Sequence, residues 1–280
     1  MNDGSTDNTI KILNNLAKND NRIKIVNNDK NHGLLYSRAM GILNSSGEYI
    51  MNLDSDDEIH DEKCLEDIYN QTHILNVDIL SFSVLFKLNN EIIKCNYNNK
   101  IILQPKLFLS NFLENNEVKD YLIWNKIIKK ETFIKAYEDF KIAIYNGKWN
   151  YFEDDVWNIL IHRYAKSKFC LDKLVYIYNN NNKNSLMHHR FSNIEFQNLL
   201  YRHEMYKHIF FKKEEEKYFI AEYIYLINRI KFDLKHLLLI NDNNIKHHVK
   251  NIVENFLNNY NCSKAQKNDI NYILQSLNMN

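Results

Sequence analysis

Residues 48–57 read EYIMNLDSDD, and this stretch decides how the first half of the chain is interpreted. Its first six residues are mostly apolar and predict a β-strand, which runs directly into the acidic sequence Asp54-Ser55-Asp56-Asp57. Apolar residues at helical spacing precede this strand at Leu34–Leu43 and follow it at Glu62–Leu75. Strands that alternate with helices of this length predict an α/β fold with a mostly parallel sheet flanked by helices.

The same alternation continues on both sides of this stretch. Further helices are predicted at residues 10–17, from 131 and at 154–165, and further strands at 23–26, 77–85, 121–128 and 169–178, with a hairpin over 86–103. After about residue 193 the pattern changes to four amphipathic helices, at residues 194–209, 214–239, 245–260 and 269–277. We predict an α/β domain over residues 1–192 and an α-helical region over residues 193–280.

Composition excludes several classes of protein. The 36 Lys and Arg residues balance 35 Asp and Glu residues, which gives no support for a nucleic-acid partner. The four cysteines are far apart and form no CxxC or Cys/His cluster in the sequence, which argues against a zinc site. The sequence contains neither a long apolar run nor a secretory signal pattern, so we expect a cytoplasmic protein.

Asp54 and Asp56 are the first candidate metal ligands. In an extended segment, side chains two residues apart point the same way, so these two carboxylates can converge. Like charges repel unless a cation compensates them, and Mg²⁺ combines carboxylate ligands with phosphate oxygens. The pair therefore predicts a divalent cation that holds a diphosphate. A solvated acidic turn, with Asp57 as a helix cap, explains the same residues equally well.

Three further clusters each allow a functional and a structural interpretation. Asp3 could accept a hydrogen bond from a base or ribose, or belong to a turn that Gly4 permits before a helix. Arg38 could reach a diphosphate, or be an ordinary surface arginine. Within Glu153-Asp154-Asp155, one acid could be a general base, or all three could simply favour the start of a helix.

Taken in order, these clusters resemble the inverting family 2 glycosyltransferases, which have the nucleotide-diphospho-sugar-binding GT-A fold. The matching segments are Asn2–Asp7, Asn31–Gly33, Ser37–Gly41, Gly47–Ile50, Leu53–Asp57, Trp124–Lys126 and Glu153–Asp154, followed by Tyr176–Tyr178 with Ser185. The resemblance spans roughly residues 1–190, and it rests on the ordered set of motifs. It implies metal-dependent transfer of a sugar from a nucleotide-diphospho-sugar to an acceptor hydroxyl, with inversion.

The resemblance implies a role for each matching residue. Asp154 matches the catalytic base, and Asp3, Arg38 and Asp54 match residues that bind the donor. Asp56, together with Asp54, matches the DXD motif that holds Mg²⁺ or Mn²⁺. The implied donor is a nucleotide sugar, with a UDP-sugar as one candidate. The implied acceptor is a glycan or a lipid-linked acceptor, as in polysaccharide biosynthesis. We therefore also expect peripheral contact with the inner face of the membrane.

Three departures from the family pattern matter. Ala39 stands where the family usually has Asn, and Asn179–Asn182 stands where an arginine is frequent, with His188 or His189 as a candidate substitute. The family domain also begins with a strand, a helix and a second strand, about 35 residues in all, that have no counterpart here. We therefore expect exposed apolar surface near Met1 and weak or no catalysis. A catalytically impaired remnant, or pseudoenzyme binding module of the same fold, is the alternative.

Overall fold

The structure is a computed structural model that describes residues 1–88, 91–95, 99–103, 122–145, 153–182, 243–259 and 264–278. The chain divides into two compact units. The first comprises Met1–Phe108 and Val118–Ser185, and the second comprises Leu109–Glu117 and Leu186–Asn280. The domain boundary predicted between residues 192 and 193 lies outside the described residues and stays a prediction.

The first unit alternates helices and strands as the sequence predicts. Its helices are α1 (Thr9–Asn19), α2 (Leu34–Asn44), α3 (Cys64–Leu75), α4 (Lys130–Tyr145) and α5 (Glu153–Tyr164). Its strands are β1 (Tyr49–Met51), β2 (Glu58–Ile59), β3 (Ile79–Leu88), β4 (Glu91–Cys95), β5 (Lys100–Leu103), β6 (Lys126–Lys129) and β7 (Ser167–Asn179). The helices predicted from apolar spacing in this unit are confirmed, although α4 is longer than expected.

The sheet corrects the prediction of mostly parallel strands. Its strands lie in the order β1-β6-β3-β7-β2, with β4 paired to β3 and β5 paired to β7. Of the strand pairs that the structure describes, β3–β7 is parallel and the others are antiparallel. The strands β1 and β3 do run in the same direction. They are not neighbours, however, because β6 lies between them and is antiparallel to both.

The long strand β7 pairs with β3 through an irregular register. The register shifts between Phe82 and Ser83 and again between Ser83 and Val84, as in a β-bulge. As a result, Val84 lies opposite Tyr176. The second half of β7 then continues to residue 179 and pairs with β2, which follows the acidic turn.

The N-terminal segment departs from one prediction and confirms another. The predicted strand Ile23–Val26 does not form, and the pairing is reduced to one parallel bridge between Asn2 and Asn27. The backbone N–H of Asn2 donates to Val26 O at 2.8 Å, but a single bridge residue provides too few hydrogen bonds for a strand. No residue of α1 is buried. As expected, large apolar side chains are exposed here, namely Met1, Ile12, Leu16 and Ile23.

The core of the first unit lies where the sheet meets α4 and α5. Ile79, Leu80 and Phe82 on β3 are fully buried. Phe133 of α4 and Trp157 of α5 meet edge to face, with ring centroids 5.4 Å apart, and both are buried. This packing fixes α5 along its length, so the position of its first residues is also fixed.

In the second unit, the structure describes two helices, α6 (Asn243–Asn259) and α7 (Lys264–Asn278). Val249 and Val253 are buried on α6, and Ile270, Ile273 and Leu277 are buried on α7. These spacings each define one apolar face, so the two amphipathic helices predicted in this part of the chain are confirmed. The helices predicted at residues 194–209 and 214–239 lie outside the described residues. None of the described helices has the length and apolar character needed to cross a bilayer.

Candidate functional site

The acidic sequence that follows β1 forms a tight turn at one end of the sheet. The backbone N–H of Asp57 donates to Asp54 O at 3.2 Å, which closes the turn. The side chains of Asp54, Asp56 and Asp57 are half-buried, whereas Ser55 between them is exposed. The turn therefore presents carboxylates that are only partly solvated.

Arg38 joins this turn to the start of α5. Its Nη2 donates to Asp54 Oδ1 at 2.9 Å, and its Nη1 donates to Glu153 Oε1 at 2.7 Å. The same Nη1 also donates to Asp154 Oδ1. The sequence separates Asp54 from Glu153 by nearly a hundred positions, yet one guanidinium holds the three acids together. We call Arg38, Asp54, Glu153 and Asp154 the arginine–acid cluster.

The arginine–acid cluster is short of positive charge. The side chain of Arg38 is 7% exposed and that of Glu153 is 8% exposed, while Asp154 is 21% and Asp54 30% exposed. Burial acts to lower the pKa of Arg38, but the charges of the three acids raise it above its usual value. Burial and the nearby charge of Asp154 raise the pKa of Glu153, because one guanidinium cannot neutralise three carboxylates.

Asp3 is held by a different arrangement at the start of α2. Its Oδ1 accepts hydrogen bonds from the backbone N–H of His32 at 2.8 Å and from Asn28 Nδ2 at 2.8 Å. Its Oδ2 accepts one from the backbone N–H of Gly33 at 2.9 Å. Burial acts to raise the pKa of Asp3, but these hydrogen bonds outweigh it and lower the pKa below its usual value.

Gly4 permits this arrangement, as its position in the sequence suggests. Its φ is +70°, a conformation that L side chains rarely adopt. A Cβ atom at this position would lie 2.6 Å from the carbonyl carbon of Lys30 and 2.7 Å from the backbone N of Asn31. The segment that carries Asp3 can therefore approach residues 30–33 closely because residue 4 has no side chain.

Asp57 is anchored to β7. Tyr176 donates its O–H to Asp57 Oδ2 at 2.6 Å, and the backbone N–H of Asn179 donates to Asp57 Oδ1 at 2.8 Å. The Tyr176 oxygen also accepts the backbone N–H of Asp54 at 3.1 Å. Burial raises the pKa of Asp57, although these two hydrogen bonds act against it, and burial together with the charge of Asp54 raises the pKa of Tyr176.

Trp124 and Lys126, from a motif that the sequence comparison singled out, support both parts of the site. Trp124 stacks on Tyr176 with ring centroids 4.7 Å apart. The Nζ of Lys126 donates to Asn158 Oδ1 at 2.9 Å, and Asn158 Nδ2 in turn donates to Asp154 O at 2.9 Å. The segment 124–126 thus contacts the tyrosine that holds the acidic turn and the first turn of α5.

Asp54 and Asp56 provide ligands that suit a hard divalent cation. Arg38 contacts Oδ1 of Asp54, and Asn182 Nδ2 contacts Oδ2 of Asp56 at 2.9 Å. Among the described residues, the second oxygen of each carboxylate has no hydrogen-bond partner. Half-exposed carboxylate oxygens of this kind are the ligands that Mg²⁺ and Mn²⁺ prefer, so these residues fit the predicted metal.

The described residues also contain a second group of metal-ligating side chains, His60, Asp61 and Cys64, whose ligand atoms lie within 4.8 Å of one another. Asp61 Oδ1 accepts the backbone N–H of Lys63 at 2.8 Å, in a local turn just before α3 begins. Cys64 donates its S–H to Leu174 O at 3.4 Å, and burial raises the pKa of its thiol. A local turn before α3 and burial of the thiol therefore account for this group.

The structure brings several of the predicted site residues together. Arg38 contacts both Asp54 and Asp154, Asp3 lies beside the first turn of the helix that carries Arg38, and Asp56 contacts Asn182. The predicted roles of all five residues stay predictions. The candidate substitutes His188 and His189 lie outside the described residues. The sequence reasoning overlooked the part played by Tyr176, although the Tyr-Ile-Tyr pattern places Tyr176 and Tyr178 on one face of a strand.

Comparison with known proteins bears on the family and the fold of the chain. The sequence model of a family described as Glycosyl transferase family 2 matches residues 1–135. An uncharacterized glycosyltransferase of Haemophilus influenzae is 41% identical over 63 residues, which are 22% of this chain and 25% of that protein. The match thus spans about a quarter of the length of this curated relative.

Three solved structures of TarS from S. aureus have a similar fold. The TarS 1–349 structure has a TM-score of 0.60 at 16% identity, over 91% of this chain and 68% of the TarS chain. A longer TarS structure gives 0.63 at 15% identity, over 98% and 46% of the two chains. TarS 1–349 in complex with UDP gives 0.58 at 14% identity, over 99% and 80%. At these identities the similarity is one of fold, and it confirms the predicted α/β GT-A class.

Proposed function

We propose that this chain is a family 2 glycosyltransferase, which transfers a sugar from a nucleotide-diphospho-sugar to an acceptor hydroxyl. The premise is the match of residues 1–135 to the Glycosyl transferase family 2 model. The observation that carries this proposal is the arginine–acid cluster, because it joins the acidic turn to the start of α5. The UDP bound to a TarS structure of similar fold supports a UDP-sugar as donor.

Asp154 is the general base of the proposed reaction. Its side chain is 21% exposed, whereas that of neighbouring Glu153 is 8% exposed, so Asp154 is the acid that an acceptor can reach. Arg38 fixes the Asp154 carboxylate relative to Asp54, and the buried packing of Trp157 fixes the helix that carries it. General-base catalysis requires such a carboxylate within hydrogen-bond reach of the proton that it removes.

The reaction is a single displacement. Asp154 takes the proton of the acceptor hydroxyl, and the acceptor oxygen forms a bond to the anomeric carbon of the donor sugar. The bond from that carbon to the diphosphate oxygen breaks, and the nucleoside diphosphate leaves with the electron pair, so the anomeric carbon is inverted. When held by Asp54 and Asp56, Mg²⁺ or Mn²⁺ supplies compensation for the charge on the leaving group.

The remaining expectations extend this proposal. Asp3 and the start of α2 would contact the nucleotide, as the family resemblance implies. The acceptor would be a glycan or a lipid-linked acceptor of polysaccharide biosynthesis, reached at the inner face of the membrane. The exposed apolar residues near Met1 favour a second candidate, in which the chain binds a nucleotide or a partner protein without catalysis.

The decisive experiment combines turnover and binding. Release of UDP from a panel of UDP-hexoses is measured with the full chain and Mn²⁺, and UDP binding is measured by calorimetry. Asp154→Asn should lower turnover by about 100-fold or more, because it removes the general base. It should change UDP affinity by less than about twofold, because the asparagine oxygen can still accept a hydrogen bond from Arg38.

Asp155→Asn is the matched control, since it removes the same charge at the next position and should leave turnover near the wild-type level. Equal turnover in Asp154→Asn and wild type would overturn the assignment of the base. UDP binding without turnover of any donor would favour the non-catalytic candidate, and absence of both would overturn the proposal.

A further inference from the structure

The third acid of the turn, Asp57, has a different environment from the two candidate metal ligands. Both of its carboxylate oxygens accept hydrogen bonds, one from Tyr176 and one from the backbone of Asn179. By contrast, Asp54 and Asp56 each keep one oxygen without a hydrogen-bond partner among the described residues. Asp57 is therefore occupied in holding the chain, while its two neighbours have ligand atoms to offer.

Tyr176 and the turn form a closed ring of hydrogen bonds. The backbone N–H of Asp54 donates to the Tyr176 oxygen at 3.1 Å, and the Tyr176 O–H donates to Asp57 at 2.6 Å. The backbone N–H of Asp57 donates back to Asp54 O at 3.2 Å. A tyrosine hydroxyl has one proton to donate and lone pairs to accept with, so the ring is chemically consistent.

The phenol at the centre of this ring cannot easily move. Tyr176 is fully buried, and its ring stacks on Trp124, which is 4% exposed. Its backbone is paired with both β3 and β2, opposite Val84 and Ile59. Because this hydroxyl is fixed, its hydrogen bonds hold the backbone of residues 54–57 in a fixed position relative to the sheet.

We propose that Tyr176 and Asp57 are positioning residues, which fix the backbone of the acidic turn and so the direction of the Asp54 and Asp56 carboxylates. They do this without contacting the cation or the donor. The inference rests on the proposed function, because the site that the pair positions is the proposed site for the divalent cation. It assigns to Asp57 a role that neither helix capping nor metal ligation provides.

The test uses Tyr176→Phe in the full chain, which removes the hydroxyl and keeps the ring that stacks on Trp124. Mn²⁺ affinity is measured by calorimetry, and hydrogen exchange is measured for peptides that cover residues 52–58. We expect Mn²⁺ to bind about tenfold more weakly, because the turn loses two hydrogen bonds. We also expect faster exchange of the Asp54 amide, whose acceptor is the lost hydroxyl.

Tyr49→Phe is the matched control. It removes a hydroxyl that donates to Val77 O at 2.9 Å, on the strand that leads into the same turn. It should leave Mn²⁺ affinity unchanged, which separates positioning of the turn from a general loss of stability. Asp57→Asn is a second variant. It keeps an acceptor for Asn179 but cannot accept the phenol proton in the same way, so it should weaken Mn²⁺ binding in the same direction.

The outcomes distinguish this inference from the proposed function. If Asp57 were itself a metal ligand, Tyr176→Phe would free its Oδ2 and leave Mn²⁺ affinity unchanged or tighter, which would overturn the inference alone. Asp56→Asn serves as the reference, because it removes a proposed ligand and should abolish most Mn²⁺ binding. If wild type binds no Mn²⁺ in the presence of UDP, the metal site of the proposed function fails, and the positioning role fails with it.

Discussion

Two arrangements in this molecule stabilise partly buried carboxylates in opposite ways. Asp3 is a single acid surrounded by several neutral donors, mainly backbone N–H groups at the start of α2. The arginine–acid cluster has a single cation that serves three acids. Neutral donors lower the pKa of Asp3, whereas crowding and burial raise the pKa of Glu153.

The difference shows what each arrangement is suited to do. The Asp3 carboxylate is balanced by the chain itself, so its stability depends on the local backbone geometry. The arginine–acid cluster retains excess negative charge, and Asp56 and Asp57 add more beside it. Excess charge of this kind is compensated when a divalent cation binds, so this cluster is the part of the site that should respond to a metal.

The largest effect should follow from removing the shared cation. Arg38→Met leaves three converging acids without their partner, and we expect the free energy of unfolding to fall by about 3–5 kcal/mol. Urea denaturation measures this change. Lys87→Met is the control, because Lys87 pairs with Glu58 at 3.2 Å in an exposed position and should contribute far less. Similar losses in the two variants would show that the arginine–acid cluster is not buried as described.

A smaller effect is expected at Asp3. Asp3→Asn keeps the size of the side chain but replaces one acceptor oxygen with an NH₂ group that faces donors. The free energy of unfolding should fall by about 1–3 kcal/mol. Asp7→Asn is the matched control, since Asp7 accepts its hydrogen bonds from Thr9 in a fully exposed position. Thermal unfolding of the two variants at one pH checks the prediction, and it would be contradicted by equal midpoints.

The smallest effect at mildly acid pH is expected for Glu153→Gln. Because the pKa of Glu153 is raised in the folded protein, the folded state keeps a proton that the unfolded chain releases above about pH 4.3. The stability contributed by this proton is complete below that pH and is lost as pH rises through the raised pKa. At about pH 5 the variant and wild type should differ by less than about 1 kcal/mol.

Above that pH the two proteins should diverge. Wild type loses stability as pH rises, because the unfolded chain has released the proton that folded Glu153 still holds. The glutamine variant has no such proton, so the unfolding midpoints of the two proteins should separate progressively toward about pH 8. Denaturation curves recorded across this range provide the measurement. Parallel curves would indicate that Glu153 is ionised throughout this range and that its pKa is not raised in the folded protein.

The local elements could be predicted from the sequence, but their pairing could not. The apolar spacing of α2, α3 and α5 and the run of apolar residues before Asp54 identify elements that form for local reasons. The position of β6 between β1 and β3 depends on residues that come some 75 positions after β1, and no periodicity encodes such a neighbour. Ile23–Val26 has the composition of a strand, yet strand formation requires a partner that supplies a ladder.

The site shows the same division. Asp54 and Asp56 could be recognised as a closely spaced acidic pair, but the extended geometry expected for them is wrong, because residues 54–57 form a tight turn. The contacts of Arg38 could not be predicted from the sequence. Helical spacing shows which residues within a few positions of Arg38 share its face of the helix, but it does not show which residues from distant parts of the chain contact it. The sequence interpretation of Arg38 considered a diphosphate contact or an exposed position, and the structure shows a buried side chain that contacts three acids.

Because the pairing between β3 and β7 is irregular, the number of residues between positions 171 and 176 determines whether Tyr176 reaches the acidic turn. With regular pairing after Phe82 and Leu171, Val84 would lie opposite Lys173, but it lies opposite Tyr176, three residues farther along β7. Deletions or insertions between residues 171 and 176 would therefore carry the phenol away from Asp57 even if every side chain were retained. The length of this segment is therefore as important for the contact between Tyr176 and Asp57 as the identity of the two residues.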